Sequence, residues 1–188
     1  RTAQRVAARD PFFAGNVDAL IAAQPKDLEA SEIEVRLGAT WFDKKYIEQF
    51  MYETFETPRY LRGQIEISYV PYTAEWQVSR KSMVRYNDVA AFTTYGTNYR
   101  LLEDALNLRD IRIYDTIEDA DGRERRVLNA KETTLAAQKQ QLIRDAFKDW
   151  IWKDPERRET LVRQYNEEMN STRPREYDGS HIVFSGMN

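Results

Sequence analysis

The chain of 188 residues is long enough to bury a core, and its apolar fraction of 41% with 12% aromatic residues excludes an intrinsically disordered protein. Its 28 Lys and Arg nearly balance its 31 Asp and Glu, which excludes a polycationic surface and makes any contact with nucleic acid local. Cysteine is absent, so disulfides, thiolate nucleophiles and the usual structural zinc sites are excluded as well.

Signals for a membrane or for export are absent from the sequence. No apolar stretch approaches the roughly 20 residues that a membrane-spanning helix needs, and no signal peptide is recognisable. We therefore expect a cytoplasmic protein with no membrane partner. Because the chain begins at Arg1 rather than Met and residues 184–188 do not resemble a natural end, we also expect a piece of a longer protein.

Two short helical segments are predicted near the N-terminus. The first runs from Asn16 to Gln24, with Asn16 as the N-cap whose side chain accepts from an exposed backbone N–H. Ser31 and Glu34 then stand at capping-box spacing, which predicts a brief helical turn that ends at Gly38.

The stretch from 43 to 108 predicts two helices that flank a hairpin. Between 64 and 70 the hydrophobic period is two, which is typical of a strand, and residues 76–79 would return as its antiparallel partner. A compact helix is expected over 98–108. An earlier helix is expected over 43–56, because apolar side chains recur on one face: Tyr46, Ile47, Phe50, Met51 and Phe55.

A second hairpin and two helices are predicted in the last part of the chain. Residues 111–128 alternate around Asp121-Gly122, a dipeptide that tolerates the positive φ of a type I′ turn. Asn129 and Glu132 form a capping pair for the next helix, and Asp154-Pro155 starts the last one. The apolar sides of these helices are Leu135, Leu142, Ile143, Ala146, Phe147, Trp150 and Ile151, then Leu161, Val162, Tyr165 and Met169.

Together these elements predict an α+β fold in which several helices pack with small antiparallel hairpins. The ends, residues 1–57 and 130–170, are helix-rich, and the hairpins lie near 64–79 and 111–128. No repeat and no long linker divides the sequence. We therefore expect a single domain over residues 1–188.

The sequence offers little material for a reaction centre. His181 is the single histidine, and its neighbour Ser180 is not aimed at the imidazole by adjacency alone. Glycine-rich phosphate loops and the Asn-Pro-Pro-Tyr or Asp-Pro-Pro-Tyr signature of adenine methyltransferases are absent. A metal site would need carboxylates, and the candidate acidic run departs from the calcium-loop spacing: Asp115, Glu118, Asp119, Asp121 and Glu124. We expect no catalytic, cofactor-binding or metal-binding residue.

Arginines cluster at three places where they would pair with phosphates. The candidate DNA contacts are Arg123, Arg125, Arg126, Arg157, Arg158, Arg163, Arg173 and Arg175. The competing interpretation is ordinary surface ion pairing, because glutamates are interleaved with the arginines of the last helix.

Aromatic residues pose the same choice between binding and packing. Tyr86, Phe92, Tyr95 and Tyr99 would either stack on unpaired bases or fill the core, and core packing is favoured. Trp150 is expected to pack locally, whereas Trp152 points in a different direction and is a candidate contact for a neighbouring domain.

Several segments, in order and over nearly the whole chain, resemble one known group of proteins. They are Gln24-Pro-Lys-Asp-Leu28, Ser31-Glu-Ile-Glu-Val-Arg-Leu-Gly-Ala-Thr-Trp41, Gln49-Phe-Met-Tyr-Glu53, Leu106-Asn-Leu-Arg-Asp110, Phe147-Lys-Asp-Trp-Ile-Trp-Lys-Asp-Pro-Glu-Arg-Arg158 and Arg173-Pro-Arg-Glu-Tyr-Asp-Gly-Ser-His181. The sequence resembles the region that precedes the helicase motor in large adenine-specific DNA methylase/helicase proteins of bacterial mobile elements and phages.

The resemblance implies a setting rather than an activity for this chain. In that family a methyltransferase region lies upstream, and a SWI/SNF-like helicase ATPase begins shortly after the position that matches Asn188. The implied cofactors, S-adenosylmethionine and ATP with magnesium, belong to the parent protein. The implied partners are the adjacent methyltransferase and helicase domains of the same chain, together with double-stranded DNA.

Three functions remain open from the sequence. The first is a non-catalytic intervening domain that positions the methylase and motor regions and contacts DNA. The second is a purely structural module that docks onto the adjacent helicase through exposed apolar residues. The third is a metal-dependent nuclease that uses the acidic hairpin, and the sequence favours it least.

Overall fold

The computed structural model describes residues 8, 10–81, 97–119 and 122–171. Over these residues the chain is an α+β protein with two small antiparallel sheets, as the sequence predicts. The helices are α1 (Ala14–Ala23), α2 (Lys45–Thr54), α3 (Asn98–Leu106), α4 (Ala130–Lys153) and α5 (Pro155–Glu168). The strands are β1 (Ile67–Val70), β2 (Glu75–Val78), β3 (Tyr114–Glu118) and β4 (Glu124–Leu128).

Packing divides the chain into two units. The larger unit is residues 34–161, and the smaller one combines residues 1–33 with 162–188. The expected single domain over residues 1–188 stays a prediction. No helix in the described ranges is both long enough and apolar enough to cross a bilayer.

In the smaller unit, α1 begins earlier than predicted. A 3₁₀ turn at Pro11–Phe13 leads directly into α1 at Ala14, so Asn16 lies inside the helix and is not its N-cap. The start is set by Asp10, whose carboxylate accepts from the N–H of Phe12 at 3.0 Å and whose carbonyl accepts from Phe13 at 3.1 Å. Asp-Pro is a strong helix start, and here it is used instead of the later Asn.

The other half of the smaller unit is organised by two asparagines. The side chain of Asn166 accepts from the N–H of Leu28 at 2.8 Å and donates to the carbonyl of Leu28 at 2.9 Å. One helical turn later Asn170 donates to the carbonyl of Lys26 at 2.9 Å. These bonds hold the extended segment 26–28 beside this end of α5. Met169, a predicted member of the buried stripe, is exposed just beyond the helix end.

The core of the larger unit is formed where α4 packs against α2 and α3. Phe50 of α2 meets Phe147 of α4 edge to face, with 5.1 Å between ring centroids. Fully buried side chains of all three helices surround this pair: Ile47, Met51, Tyr99, Leu101, Leu102 and Ile151. The amphipathic pattern of residues 43–56 and 98–108 therefore predicted the right buried faces.

The helical turn predicted at Ser31 to Gly38 is wrong. Residues 33–36 have no regular structure, and burial alternates along the segment, with Val35 and Leu37 inside and Glu34 and Arg36 outside. An extended chain buries every second residue, so the apolar pattern had a period of two.

Both edges of the β1–β2 sheet are satisfied by helix side chains rather than by further strands. On the α3 side, Asn107 accepts from the N–H of Trp76 and donates to its carbonyl, both at 2.8 Å, and Glu103 accepts from the N–H of Val78 at 2.8 Å. On the α2 side, Glu48 accepts from the N–H of Ile67 at 2.9 Å and Lys44 donates to its carbonyl at 2.9 Å. These bonds occupy outward backbone groups of Trp76 and Val78 on one edge and of Ile67 on the other.

The second hairpin is confirmed by the pairing of β3 with β4. At its end Glu118 pairs with Glu124, and the N–H of Asp119 donates to Arg123 O at 2.9 Å. Asp121 of the predicted Asp121-Gly122 turn lies outside the described residues. Gly122 has the positive φ that the sequence predicts, +73°, and its N–H donates to Asp119 O at 2.8 Å.

Helix α4 begins where the sequence predicts, and its buried face overlaps the predicted one at Ile143, Phe147 and Ile151. The side chain of Asn129 accepts from the N–H of Glu132 at 3.0 Å, which confirms the N-cap. The buried residues are Ala136, Gln140, Ile143, Phe147 and Ile151. Leu135 and Leu142 are instead 38% and 57% exposed. Seven residues apart, they form a second apolar stripe on another side of the helix.

Candidate nucleic-acid interface

The β3–β4 hairpin projects from the larger unit, and its strands pack chiefly against each other. All ten strand residues are exposed, on both faces of the hairpin. Its base is tied to the start of α4 by the Thr133 hydroxyl, which accepts from the N–H of Ile113 at 3.0 Å, and by Asn129, which donates to Asp115 at 2.9 Å. A hairpin of two strands is only marginally stable by itself, so these few bonds position the arm.

The hairpin arginines are divided between its two faces. Cross-strand partners share a face, so Arg125 lies beside Ile117, whereas Arg126 lies with Tyr114 on the opposite face. The guanidinium of Arg126 stacks over the Tyr114 ring at 4.9 Å. Arg123 is exposed on the same side as Arg125, and neither takes part in an ion pair within the part of the chain that the structure describes.

The acidic run is divided in the same way. Asp115 lies on the same face as Arg125, whereas Glu118 and Glu124 are cross-strand partners on the opposite face. Within the described ranges no three His, Cys, Asp or Glu side chains are grouped so as to hold a metal ion. Residues 111–128 carry four arginines and five acidic residues, a net charge of −1, so the hairpin as a whole does not attract phosphate.

Arg157, a predicted DNA contact, is used inside the fold. Its guanidinium stacks on the Trp150 ring at 3.6 Å and donates to the carbonyls of Ile151 at 2.9 Å and Trp150 at 2.5 Å. These are carbonyls of the last turn of α4, which have no partner within that helix. Arg157 therefore caps the end of α4, while Asp154 caps α5 by accepting from the N–H of Arg157 at 2.7 Å.

A carboxylate from α2 completes this joint between α4 and α5. Glu53 accepts from the indole N–H of Trp150 at 2.7 Å and from Gln49 at 2.8 Å. Burial raises the pKa of the Glu53 carboxyl, but the bonds from Gln49 and Trp150 and the charges of Arg157 and Arg62 outweigh it, so the pKa lies below its ordinary value. For Arg157 burial has the larger effect and lowers the pKa, although the charges of Asp154 and Glu53 act to raise it.

Among the remaining candidate arginines, Arg158 is far from the hairpin. Arg158 and Arg163 are exposed, whereas Arg173 and Arg175 lie outside the described residues. The hairpin meets the first turn of α4 and Arg158 follows its last turn, and a helix of 24 residues is about 36 Å long. In the larger unit the exposed candidate arginines therefore occupy two separate places.

Among the candidate base-stacking residues, Tyr99 lies within the described part of the chain. Tyr99 is fully buried and its hydroxyl shares a hydrogen bond of 2.7 Å with Thr57, so it is a core residue. Its burial raises the pKa of the Tyr99 hydroxyl. Trp150 packs locally as predicted, and Trp152 is half-buried. The other candidate aromatic residues and the Ser180-His181 pair lie outside the described residues: Tyr86, Phe92 and Tyr95.

Sequence reasoning missed the polar side chains that organise the larger unit. Asn107 and Glu103 hold β2, and Glu53 with Arg157 holds the joint between α4 and α5. Asn107 lies in the last turn of the helix predicted over 98–108, where an Asn is a local signal for a cap. It carried no information that its partner would be a strand more than 30 residues away, because that proximity arises only from packing.

Comparison with known proteins gives a family but no activity. A family model described as a domain of unknown function (DUF8437) matches residues 36–171, which is most of the chain. No curated protein and no solved structure matches the chain.

Proposed function

The chain belongs to the family DUF8437, a domain of unknown function, and we propose that it is a non-catalytic positioning domain of a DNA methyltransferase/helicase protein. In this proposal it sets the methylase and motor regions relative to each other and contacts DNA locally. S-adenosylmethionine and ATP with magnesium would be bound elsewhere in the parent protein. The DNA setting rests on the resemblance of segments such as Phe147 to Arg158.

The observation that carries the positioning role is the projecting hairpin. Apolar side chains are exposed on both of its faces: Tyr114 at 41%, Ile117 at 48%, Val127 at 38% and Leu128 at 49%. Exposed apolar groups on an arm with few internal contacts are typical of a surface that a partner covers. The exposed Leu135 and Leu142 of α4 extend the apolar surface available in the same unit.

The docking test compares this chain alone with the same chain joined to the region that follows it in its parent protein. Docking predicts a higher melting temperature for the joined form and a single elution peak after proteolytic separation. The variant Ile117→Ser with Val127→Ser should lose both effects. The matched control, Leu20→Ser with Ile21→Ser in α1, also removes two exposed apolar side chains and should keep them. Equal stability of the free and joined chains would contradict the proposal.

Local DNA contact is a separable part of the proposal and rests on arginines that the fold leaves exposed. Binding of a labelled duplex should be weak, should fall as salt rises, and should lose about two units of salt slope when the exposed Arg158 and Arg163, which lie outside the hairpin, are both changed to Gln. The control variant changes the exposed Arg36 and Arg59 to Gln and should keep the slope. No binding at low salt would remove this part and leave the docking role standing.

A further inference from the structure

Among the described residues, nothing pairs with the two outer edges of the β3–β4 hairpin. The N–H of Asp119 donates to Arg123 O, and the N–H of Asn129 donates to Ile113 O, so odd-numbered residues of β3 form the inward hydrogen bonds. In an antiparallel pair the residues between them point their backbone groups outward. On β4 these are Glu124, Arg126 and Leu128, and within the described residues their N–H and C=O groups have no hydrogen-bond partner.

The two edges differ in charge. The β4 side, residues 123–128, carries three arginines and one glutamate, a net charge of +2. The β3 side carries Asp115, Glu118 and Asp119 and no basic residue from 113 to 121. An edge strand offers backbone groups to any extended segment, and flanking charges select among segments. The β4 edge is therefore complementary to an acidic segment, and the β3 edge is not.

Other occupants fit the β4 edge less well. A second copy related by a two-fold axis would place β4 beside β4, which brings arginine-rich edges together, and pairing β4 with the β3 of another copy would not close. Duplex DNA would meet the acidic residues of β3 together with the arginines, because the two strands are adjacent and the hairpin has a net charge of −1.

We propose that the β4 edge binds an extended, acidic protein segment by adding it as a third strand of the hairpin. Backbone hydrogen bonds from Glu124, Arg126 and Leu128 would hold the segment, and Arg123 with Arg125 would select its charge. This inference rests on the docking part of the proposed function and specifies how a neighbouring domain would bind the β3–β4 hairpin.

The test uses the whole chain and a short fluorescein-labelled peptide of alternating Glu and Val, with a peptide of alternating Lys and Val for comparison. Fluorescence anisotropy should show tighter binding of the Glu-Val peptide. Arg126→Pro removes an outward N–H of β4 and should weaken that binding at least about tenfold. Thr116→Pro is the matched control, because Thr116 is paired with Arg126 across the hairpin. This substitution removes the equivalent N–H of the opposite edge and should leave peptide binding unchanged.

Two further variants keep the outcome decisive. Glu124→Pro blocks the same edge and replaces Arg126→Pro should the latter not fold by circular dichroism. Arg123→Glu with Arg125→Glu should reverse the preference toward the Lys-Val peptide. No binding of the Glu-Val peptide, equal binding of both peptides, or equal effects of Arg126→Pro and Thr116→Pro would overturn the inference.

The alternative occupants have their own signatures. Displacement of the Glu-Val peptide by duplex DNA, or a concentration-dependent dimer that Arg126→Pro abolishes, would assign the edge to DNA or to a second copy and overturn the inference. If the downstream region still raises the melting temperature while the peptide fails to bind, the edge inference fails and the docking role survives. If neither is seen, both fail.

Discussion

Replacing Arg157 by Ala tests whether this residue stabilises the junction between α4 and α5 or contacts phosphate. In the fold the guanidinium lies 3.6 Å from the Trp150 ring and bonds two carbonyls at the end of α4. A partly desolvated cation–π contact contributes about 1–2 kcal/mol, and each hydrogen bond from a charged donor at this half-exposed position contributes about 1 kcal/mol. We therefore expect Arg157→Ala to lower the free energy of unfolding by about 3 kcal/mol.

The neighbouring Arg158 provides the control. It is exposed on the same helix and also stands among the candidate DNA contacts, so Arg158→Ala should change stability by no more than about 0.5 kcal/mol. Urea unfolding followed by tryptophan fluorescence and far-UV circular dichroism measures both variants, with coincident transitions as the check on two-state behaviour. Equal midpoints for the two variants, or wild-type stability of Arg157→Ala combined with lost DNA binding, would refute the structural role.

Three further predictions concern single side chains of the larger unit. Because the pKa of the Glu53 carboxyl is lowered in the fold, ionised Glu53 stabilises the protein above the ordinary pKa near 4.5, and this stabilisation is lost as pH falls through the folded pKa. The difference in unfolding free energy between wild type and Glu53→Gln should therefore close on acidification, as measured by urea titrations at a series of pH values. Gly38→Ala should destabilise by about 2–4 kcal/mol, since the new Cβ would overlap the backbone oxygen of Leu106 at a φ of +89°, whereas Gly63→Ala, with a φ of +81° but open space, should cost about 1 kcal/mol in the same assay. Asn107→Ala should lower the unfolding free energy by about 2 kcal/mol and speed amide exchange at β2, measured by hydrogen exchange, and unchanged exchange there would contradict its role at the strand edge.

The role of Arg157 changes how the most distinctive sequence block is understood. The run from Trp150 to Arg157 contains a helix end, an Asp-Pro restart and an arginine that reaches back to the previous helix. Each feature serves the junction between α4 and α5. The resemblance carried by this block therefore includes residues with a structural task, and the candidate DNA contacts of the larger unit reduce to the hairpin arginines and Arg158.

Local signals in the sequence predicted the elements well. The periodicity of residues 43–56 and 98–108, the alternation around residues 67 and 117, and the Asn129 cap each act within a few neighbouring residues, and each was confirmed. An error arose where two local signals competed, because Asp10-Pro11 started α1 before Asn16.

The candidate site was less predictable because exposure depends on distant partners. By spacing alone Leu135 and Leu142 belonged to the apolar side of α4 together with Ile143, but the fold buries Ile143 with Ala136 and leaves the two leucines exposed. In the sequence Arg157 and Arg158 are neighbours of the same residue type. Only the position of the Trp150 ring decides that Arg157 packs inside the fold and Arg158 stays exposed.

The sequence by itself determined the α+β class, the order of helices and hairpins and the absence of cysteine chemistry, because propensity, capping and periodicity act over one or two turns of chain. The tertiary structure alone decided which apolar stripe of α4 is buried, which arginine closes a helix junction, and that the strands of the second hairpin are exposed on both faces. Those outcomes depend on residues far apart in sequence that meet only after packing, and no local pattern encodes such meetings.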